Sequence, residues 1–308
     1  MPNDALTPAR RFLHVCYCCA DSTEVTRFFV DNLAMRNTMS TTAERSSGAV
    51  LGLGGDVVSA AAFLYDQRGP RTSPAIEVQA WVEPALLGTP VEDPSAVGIQ
   101  ALGFSVNGLD AASERLIGQG STVVGSGVSV FGAAWTTLRD PTGVTLDLVE
   151  DTAVPDGESR MHHLRVTATD LEVSLPWYES LGFEVVDRAH LDDASWIGVA
   201  GPVDAEAVRM RLPDEPFEAL LIQWDQPRSH GRHVSEPNHA GLYRTAVGVD
   251  DTQASYEAMR AAGVTFDRAP MSVELRGTPV PDMWICFLSD PDGVPFEFVG
   301  RPRSAFRP

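Results

Sequence analysis

The spacing of apolar and polar positions divides the chain into short elements of two kinds. Apolar residues return every three or four positions over 23–33 and 171–181, and again over 110–123 and 253–266, so four amphipathic helices are predicted. The last two run into Gly120 and Gly263, the residue type that a left-handed helix cap favours. Runs of strand character, some alternating and some continuously apolar, cover 75–81, 103–106, 219–224 and 245–249. Each helix follows one strand and precedes several more.

This order of elements repeats. Asp140-Pro141-Thr142-Gly143 is echoed by Asp290-Pro291-Asp292-Gly293, and the strand after each turn carries an acid, Asp147 or Glu297. A strand headed by His14 and closing on Asp21 is echoed by one headed by His163 and closing on Asp170, with Glu24-Val25 matched by Glu172-Val173. The halves, 10–150 and 160–302, therefore read as two domains of two strand-helix-strand-strand-strand modules each, about 10–90, 98–150, 160–228 and 238–302. Pro155, Asp156 and Gly157 mark the polar linker between them. The 308 residues agree, since a domain takes roughly 100–200.

Composition narrows function more than fold. With 42 acidic against 23 basic residues the formal net charge is -19, and a surface this acidic repels nucleic-acid phosphates and anionic membranes. No nucleic-acid or membrane partner is expected, and no apolar run approaches the ~18 residues of a membrane-spanning helix. Every basic residue is arginine, which points to a GC-rich bacterial coding sequence and removes lysine Schiff-base chemistry. Four cysteines, three of them at Cys16, Cys18 and Cys19, are too few and too clustered for a disulfide framework, so a reducing cytoplasm is expected. Arg10-Arg11 and the apolar residues after it have the outline of a twin-arginine leader. His14 interrupts that run, however, and Asp21 and Glu24 follow without a small-residue cleavage site.

The motifs resemble the vicinal oxygen chelate superfamily, which includes glyoxalase I, fosfomycin resistance enzymes, bleomycin-binding proteins and extradiol dioxygenases. Besides the His-headed strands and the Asp-Pro-x-Gly turns, the resemblance rests on Trp81-Val82-Glu83-Pro84, Trp224-Asp225-Gln226-Pro227 and Asn238-His239-Ala240-Gly241-Leu242-Tyr243-Arg244, and covers about 12–300. It implies an α+β fold of four βαβββ modules paired into two glyoxalase-like domains, each an open cup of curved mixed sheet built from the two modules of one half. It also implies four metal-ligand positions per cup for Fe, Mn, Zn, Ni or Co, with no metal where too many are lost. By motif these positions are His14, Glu77, Ala101 and Asp147 in one cup, and His163, Leu220, Arg244 and Glu297 in the other.

On this mapping the first cup keeps three ligand types, His14, Glu77 and Asp147, and the second keeps two, His163 and Glu297. Neither has the two-histidine, one-carboxylate set of an extradiol dioxygenase. An inward Arg244 would repel a metal and pair with Glu297 instead. Alternation places Tyr243 and Arg244 on opposite faces, so at most one points inward, while Cys16 and Cys18 share the face of His14 and Cys19 turns away. Glu297, His163 and Arg244 are the candidate catalytic groups; Tyr243, His239 and Gln223 are candidates for substrate contact. The competing readings are structural: histidines bonded to backbone, Asp147 and Glu297 paired with arginines, Glu77 facing water. Two functions follow. One is a metal-dependent isomerase, lyase or dioxygenase acting on a small substrate chelated through adjacent oxygens, in bacterial secondary or catabolic metabolism. The other is a metal-free cup that binds or rearranges an aromatic or polycyclic molecule, as in antibiotic resistance or sequestration. Both imply a small-molecule partner and a monomer or homodimer.

Overall fold

The computed structural model describes residues 8–274 and 282–300; residues 301–302, the end of the expected fourth module, lie outside the described residues. The first module comprises β1 (Ala9–Cys19), α1 (Ser22–Leu33), β2 (Arg36–Ser40), β3 (Glu44–Ser47), β4 (Asp56–Tyr65) and β5 (Ala75–Glu83). The second comprises β6 (Gly98–Val106), α2 (Leu109–Gly118), β7 (Thr122–Val128), β8 (Ala134–Arg139) and β9 (Thr145–Glu150). The third comprises β10 (Ser159–Ala168), α3 (Leu171–Leu181), β11 (Glu184–Leu191), β12 (Asp204–Arg211) and β13 (Glu218–Gln226). The fourth comprises β14 (Gly241–Val249), α4 (Thr252–Ala261), β15 (Met271–Glu274), β16 (Asp282–Ser289) and β17 (Pro295–Gly300). The repeat is thus four βαβββ modules, the first carrying one strand more.

Local signals set the element ends, the caps at Gly120 and Gly263 as the sequence predicts. Asp21 and Asp170 cap α1 and α3 by accepting from the backbone N–H groups of Thr23 and Glu172. Gly120 and Gly263 stand just past α2 and α4 with positive φ, each donating back to a carbonyl of the last turn. In both Asp-Pro-x-Gly turns the aspartate Oδ1 accepts from two backbone N–H groups, those of Thr142 and Val144 or of Asp292 and Val294.

The modules pair differently from the expectation that each half builds its own cup. One sheet runs β15-β16-β17-β14-β1-β5-β4-β2 with β3 on β4, and the other runs β11-β12-β13-β10-β6-β9-β8-β7. The first module therefore shares a sheet with the fourth, through antiparallel β1 and β14, and the second with the third, through antiparallel β6 and β10. The connections supply a reason. The short loop 151–158 delivers β10 beside its own predecessor module. The longer linkers 84–97 and 227–240 lie side by side, bonded through Leu87 to Asn238 and Ala240 and through Val97 to His230. The outer modules are left to each other.

Strand alternation sorts the side chains. Val15 and Tyr17 of β1, Leu146 and Leu148 of β9, and Phe296 and Phe298 of β17 enter one continuous core shared by both sheets, with residues from all four helices. Phe12 ties the two sheets within it, meeting Phe183 and Phe217 edge to face at 5.3 and 4.7 Å. The opposite sheet faces form the two cups, carrying separate apolar clusters around Trp81 and Phe287 in one and around Trp135 and Trp224 in the other. Cys16, Cys18, Cys19 and Cys286 are buried and unbridged. No helix among the described residues is long and apolar enough to cross a membrane.

Candidate active site

In the cup of the first and fourth modules, His14 comes from β1, Glu77 and Gln79 from β5, Arg244 from β14 and Glu297 from β17. The register places them together: His14 pairs with Ala246 across the seam, Cys16 with Glu77, and Ala246 with Glu297. Arg244 is the hub. Its Nη2 donates to Glu77 Oε2 at 2.8 Å, its Nε to Glu297 Oε2 at 3.1 Å and its Nη1 to Gln79 Oε1 at 3.2 Å. His14 Nε2 faces the same two carboxylate oxygens at 3.3 and 3.4 Å, aligned well enough for a hydrogen bond to neither. All four ionisable side chains are buried, and Glu77, Gln79, Arg244 and Glu297 reach the surface of a cavity of about 400 Å³.

Burial alone would raise the pKa of Glu297, but His14 and Arg244 hold it down at about 2. Burial likewise works against the charge on Arg244; the Cys16 thiol, Glu77 and Glu297 around it nevertheless push its pKa well above the usual value. Cys16 donates to Gln79 Oε1 at 3.4 Å, so the thiol supports the amide that holds the guanidinium. Tyr243 is also in this neighbourhood, clustered with Cys16 and Cys18. Regular alternation would turn it away from the side of Arg244. A register shift opposite Val15–Tyr17 gives β14 an extra residue there, and the bulge brings Tyr243 and Arg244 to the same side.

In the cup of the second and third modules, Asp147 of β9 is fully buried. It accepts from Arg165 Nε at 2.8 Å and Nη2 at 3.2 Å, from Thr137 Oγ1 at 2.6 Å and from His163 Nε2 at 3.2 Å. Burial would raise its pKa, but the Arg165 charge and His163 hold it well below the usual carboxylate range. His163 Nδ1 in turn meets His162 Nδ1 at 2.8 Å. Gly103, opposite His163 on β6, leaves room for the imidazole: a Cβ there would lie 2.0 Å from its Cε1.

The structure thus brings His14, Glu77, Arg244 and Glu297 together in one sheet and Asp147 and His163 in the other. Ala101 and Leu220 lie in the second sheet, at the register positions held in the first by Arg244 and Glu77. His239 is apart from both cups, bonding the Ala240 carbonyl beside the 84–97 linker. Gln223 accepts from Leu171 N at the start of α3, and the Tyr243 hydroxyl donates to Ser235 O. Arg165 and Gln79 are site residues that the motifs do not mark. Each stands two residues along its strand from a marked residue, His163 or Glu77, so strand alternation puts both on the cup face.

The donor sets do not fit a divalent cation. In the first cup the carboxylate oxygens that would face a metal are bonded to Arg244, and its fixed positive charge stands where the resemblance puts a fourth ligand. In the second cup Arg165 takes Asp147 through both oxygens, leaving His163 as the remaining ligand type at the four mapped positions. Among the described residues no group of three or more His, Cys, Asp or Glu side chains is arranged to hold a metal ion.

Residues 160–298 match the family model of the Glyoxalase/Bleomycin resistance protein/Dioxygenase superfamily. The Uncharacterized protein YaeR of Escherichia coli (strain K12) is 26% identical over 146 residues, 46% of this chain and 95% of that protein. Among solved structures, glyoxalase I from Zea mays aligns with a TM-score of 0.67 at 18% identity, covering 94% of this chain and 92% of that one. A putative dioxygenase from Bacillus subtilis subsp. subtilis str. 168 aligns with a TM-score of 0.62 at 15% identity, covering 96% and 86%. At such identities the structural likeness speaks for the fold.

Proposed function

Through residues 160–298 the chain belongs to the Glyoxalase/Bleomycin resistance protein/Dioxygenase superfamily, and on that premise we propose that the cup of the first and fourth modules is a metal-independent isomerase or lyase site for a small organic molecule with adjacent oxygens. One observation carries this reading: Arg244 binds Glu77 and Glu297 through the oxygens a metal would need. A guanidinium has five N–H donors, and three are engaged here, by Glu297, Gln79 and Glu77. The two remaining can stabilise an oxyanion developing on substrate, the role of a fixed charge in a water-poor site. Glu77, at the cavity surface, is placed to take a proton from the carbon beside that oxygen and return it. Apolar walls from Val57, Phe63, Ile285 and Phe287 suit the carbon skeleton. Both cups are completed within one chain, so we read the functional unit as a monomer, and the acidic, disulfide-free chain as cytoplasmic.

The convergence of His14, Glu77 and Glu297 favours a second reading, in which a divalent cation displaces Arg244. One experiment separates the two. Hydroxyacetone in D₂O is followed by proton NMR for exchange at the carbon bearing its hydroxyl, with and without EDTA, beside metal analysis of protein purified without chelator. Exchange that survives EDTA and is lost in Glu77→Gln supports the metal-independent site. Stoichiometric transition metal with EDTA-sensitive exchange overturns it in favour of the metal, and no exchange at all overturns the isomerase reading.

A further inference from the structure

We propose that residues 48–55, between β3 and β4, are a lid over the first cup, and that Arg268 of the fourth module is the latch that holds it shut. The segment is a 3-10 helix (Gly48–Leu51) and the turn after it. It closes on itself: Gly48 N donates to Gly55 O at 2.8 Å, Gly52 N to Ala49 O at 3.1 Å and Leu53 N to Gly48 O at 3.0 Å. A loop bonded internally in this way moves as one body, and glycines at both its ends, Gly48, Gly54 and Gly55, supply the hinges. Its underside is apolar. Leu51 and Leu53 rest on the cluster of Cys16, Trp81 and Tyr243, and Val50 and Leu51 on that of Ile285 and Phe287. Val50 and Leu51 also line the cavity of about 400 Å³, so the segment roofs the cup.

Among the described residues, the lid's hydrogen bond to the far side of the cup comes from Arg268, whose Nη1 donates to the Val50 carbonyl. The guanidinium lies 5.4 Å over the ring of Phe287, a wall residue, which fixes it at the cavity edge. Gly52 packs against it so closely that a Cβ there would strike the guanidinium. The second cup shows a roof of the opposite kind. Its corresponding segment, between β11 and β12, carries the 3-10 helix Ser195–Ile197. There Trp196 and Ile197 are 1% exposed, the indole meets Trp135 edge to face at 4.8 Å, and a Cβ at Gly125 would strike the backbone of Ser195 and Gly198. Val50, Leu51 and Leu53 are only half-buried. The first roof is thus held by one cation and a shallow apolar contact, the features of a segment that opens without the rest of the fold.

The lid serves the site proposed above, but alkylation tests it without substrate, so its failure and the failure of that chemistry are separate outcomes. A Ser59→Cys reporter on the cavity wall of the full chain is treated with iodoacetamide, and modification is read by peptide mass spectrometry. Adding Arg268→Met should speed labelling of the reporter about tenfold or more, the effect of losing one charge-assisted hydrogen bond, while Arg268→Lys stays near the wild-type rate. Cys286, buried in the shared core, reports unfolding of the whole chain in the same samples and should not change. A reporter rate that is the same with Met as with Arg overturns the proposal. So does a Cys286 rate that rises in step with it, which would make Arg268 a structural contact only. If β4 does not accept the cysteine, deuterium exchange of the Arg268→Met chain decides. Faster exchange at 49–53 with 195–199 unchanged supports the lid; equal exchange at 49–53, or a rise in both segments, overturns it.

Discussion

Replacing Arg244 with methionine tests how the first cup is held together. The change keeps much of the apolar stem and removes the donors to Glu77, Gln79 and Glu297. Breaking a buried ion pair by deleting one partner costs ~3–5 kcal/mol, because the other charge stays behind in low dielectric. The low pKa of Glu297 points the same way, since His14 and Arg244 hold the carboxyl down against the effect of burial. The pH dependence follows from the direction of that displacement. In the wild type Glu297 contributes stability that is complete above its unfolded value near 4.5 and is lost as pH falls toward 2. In the variant, burial without the guanidinium raises the carboxyls, so protonation restores stability as pH falls from neutrality. The gap in unfolding free energy, measured in urea at pH 7.5 and 4.5, should therefore be about 3–5 kcal/mol at the higher pH and clearly smaller at the lower. A variant as stable as the wild type, or one destabilised equally at both values, would refute the assignment of Arg244 as the cup's resident cation.

Other perturbations address single contacts. Arg244→His should create the missing ligand beside His14, Glu77 and Glu297, so calorimetric titration with Ni²⁺ or Zn²⁺ should show one tight site in the variant and none in the wild type. Gly103→Ala should destabilise the second sheet by ~2 kcal/mol or more in urea unfolding, because the new methyl would lie 2.0 Å from the His163 ring. Burial pushes Asp290 up to about 7 despite its bonds from Val294 N, Asp292 N and the Tyr178 hydroxyl. Its raised value makes the wild type lose ~1.4 kcal/mol per pH unit between the unfolded value and 7, a loss that Asp290→Asn should abolish in unfolding curves taken at pH 5, 6 and 7.

What the sequence revealed and what it hid have physical causes. The faces of β9 were legible: Asp147 and Val149 lie on the cup side and Leu146 and Leu148 in the core, because a period of two is a property of any regular strand. The partner of each module was not, since a strand's pattern fixes which face is buried but not which strand lies alongside. Tyr243 was misplaced for a related reason. The bulge in β14 adds one residue against β1, and an insertion of that kind reverses the alternation without changing composition. Arg165, two residues beyond His163 on the same strand face, carries no metal-ligand signature, so a pattern of ligand types does not reveal it although strand alternation does. The structural readings of Asp147 and Glu297, as acids paired with arginines, describe what both cups contain.

Buried charge also explains why the modules pair as they do. Were each half to close its own cup, the first would bury Glu77 and Asp147 with His14 and no arginine, while the second would bury Arg165 and Arg244 against Glu297, its other acid, Glu218, being already paired with Arg209. The observed pairing instead matches Arg244 with Glu77 and Glu297, and Arg165 with Asp147. In each sheet an ion pair crosses the seam, from β14 to β5 in one and from β10 to β9 in the other. The two arginines are not equivalents: Arg244 stands where the other sheet has Ala101, and Arg165 where the other sheet has Cys16. The acid at the start of the last strand is thus the shared feature, and each cup answers it with a cation from a different strand. Since an uncompensated buried charge costs ~3–5 kcal/mol, two mismatched cups would cost about as much as the whole stability of an ordinary domain. The arginines therefore select the crossed pairing as well as occupying the cups.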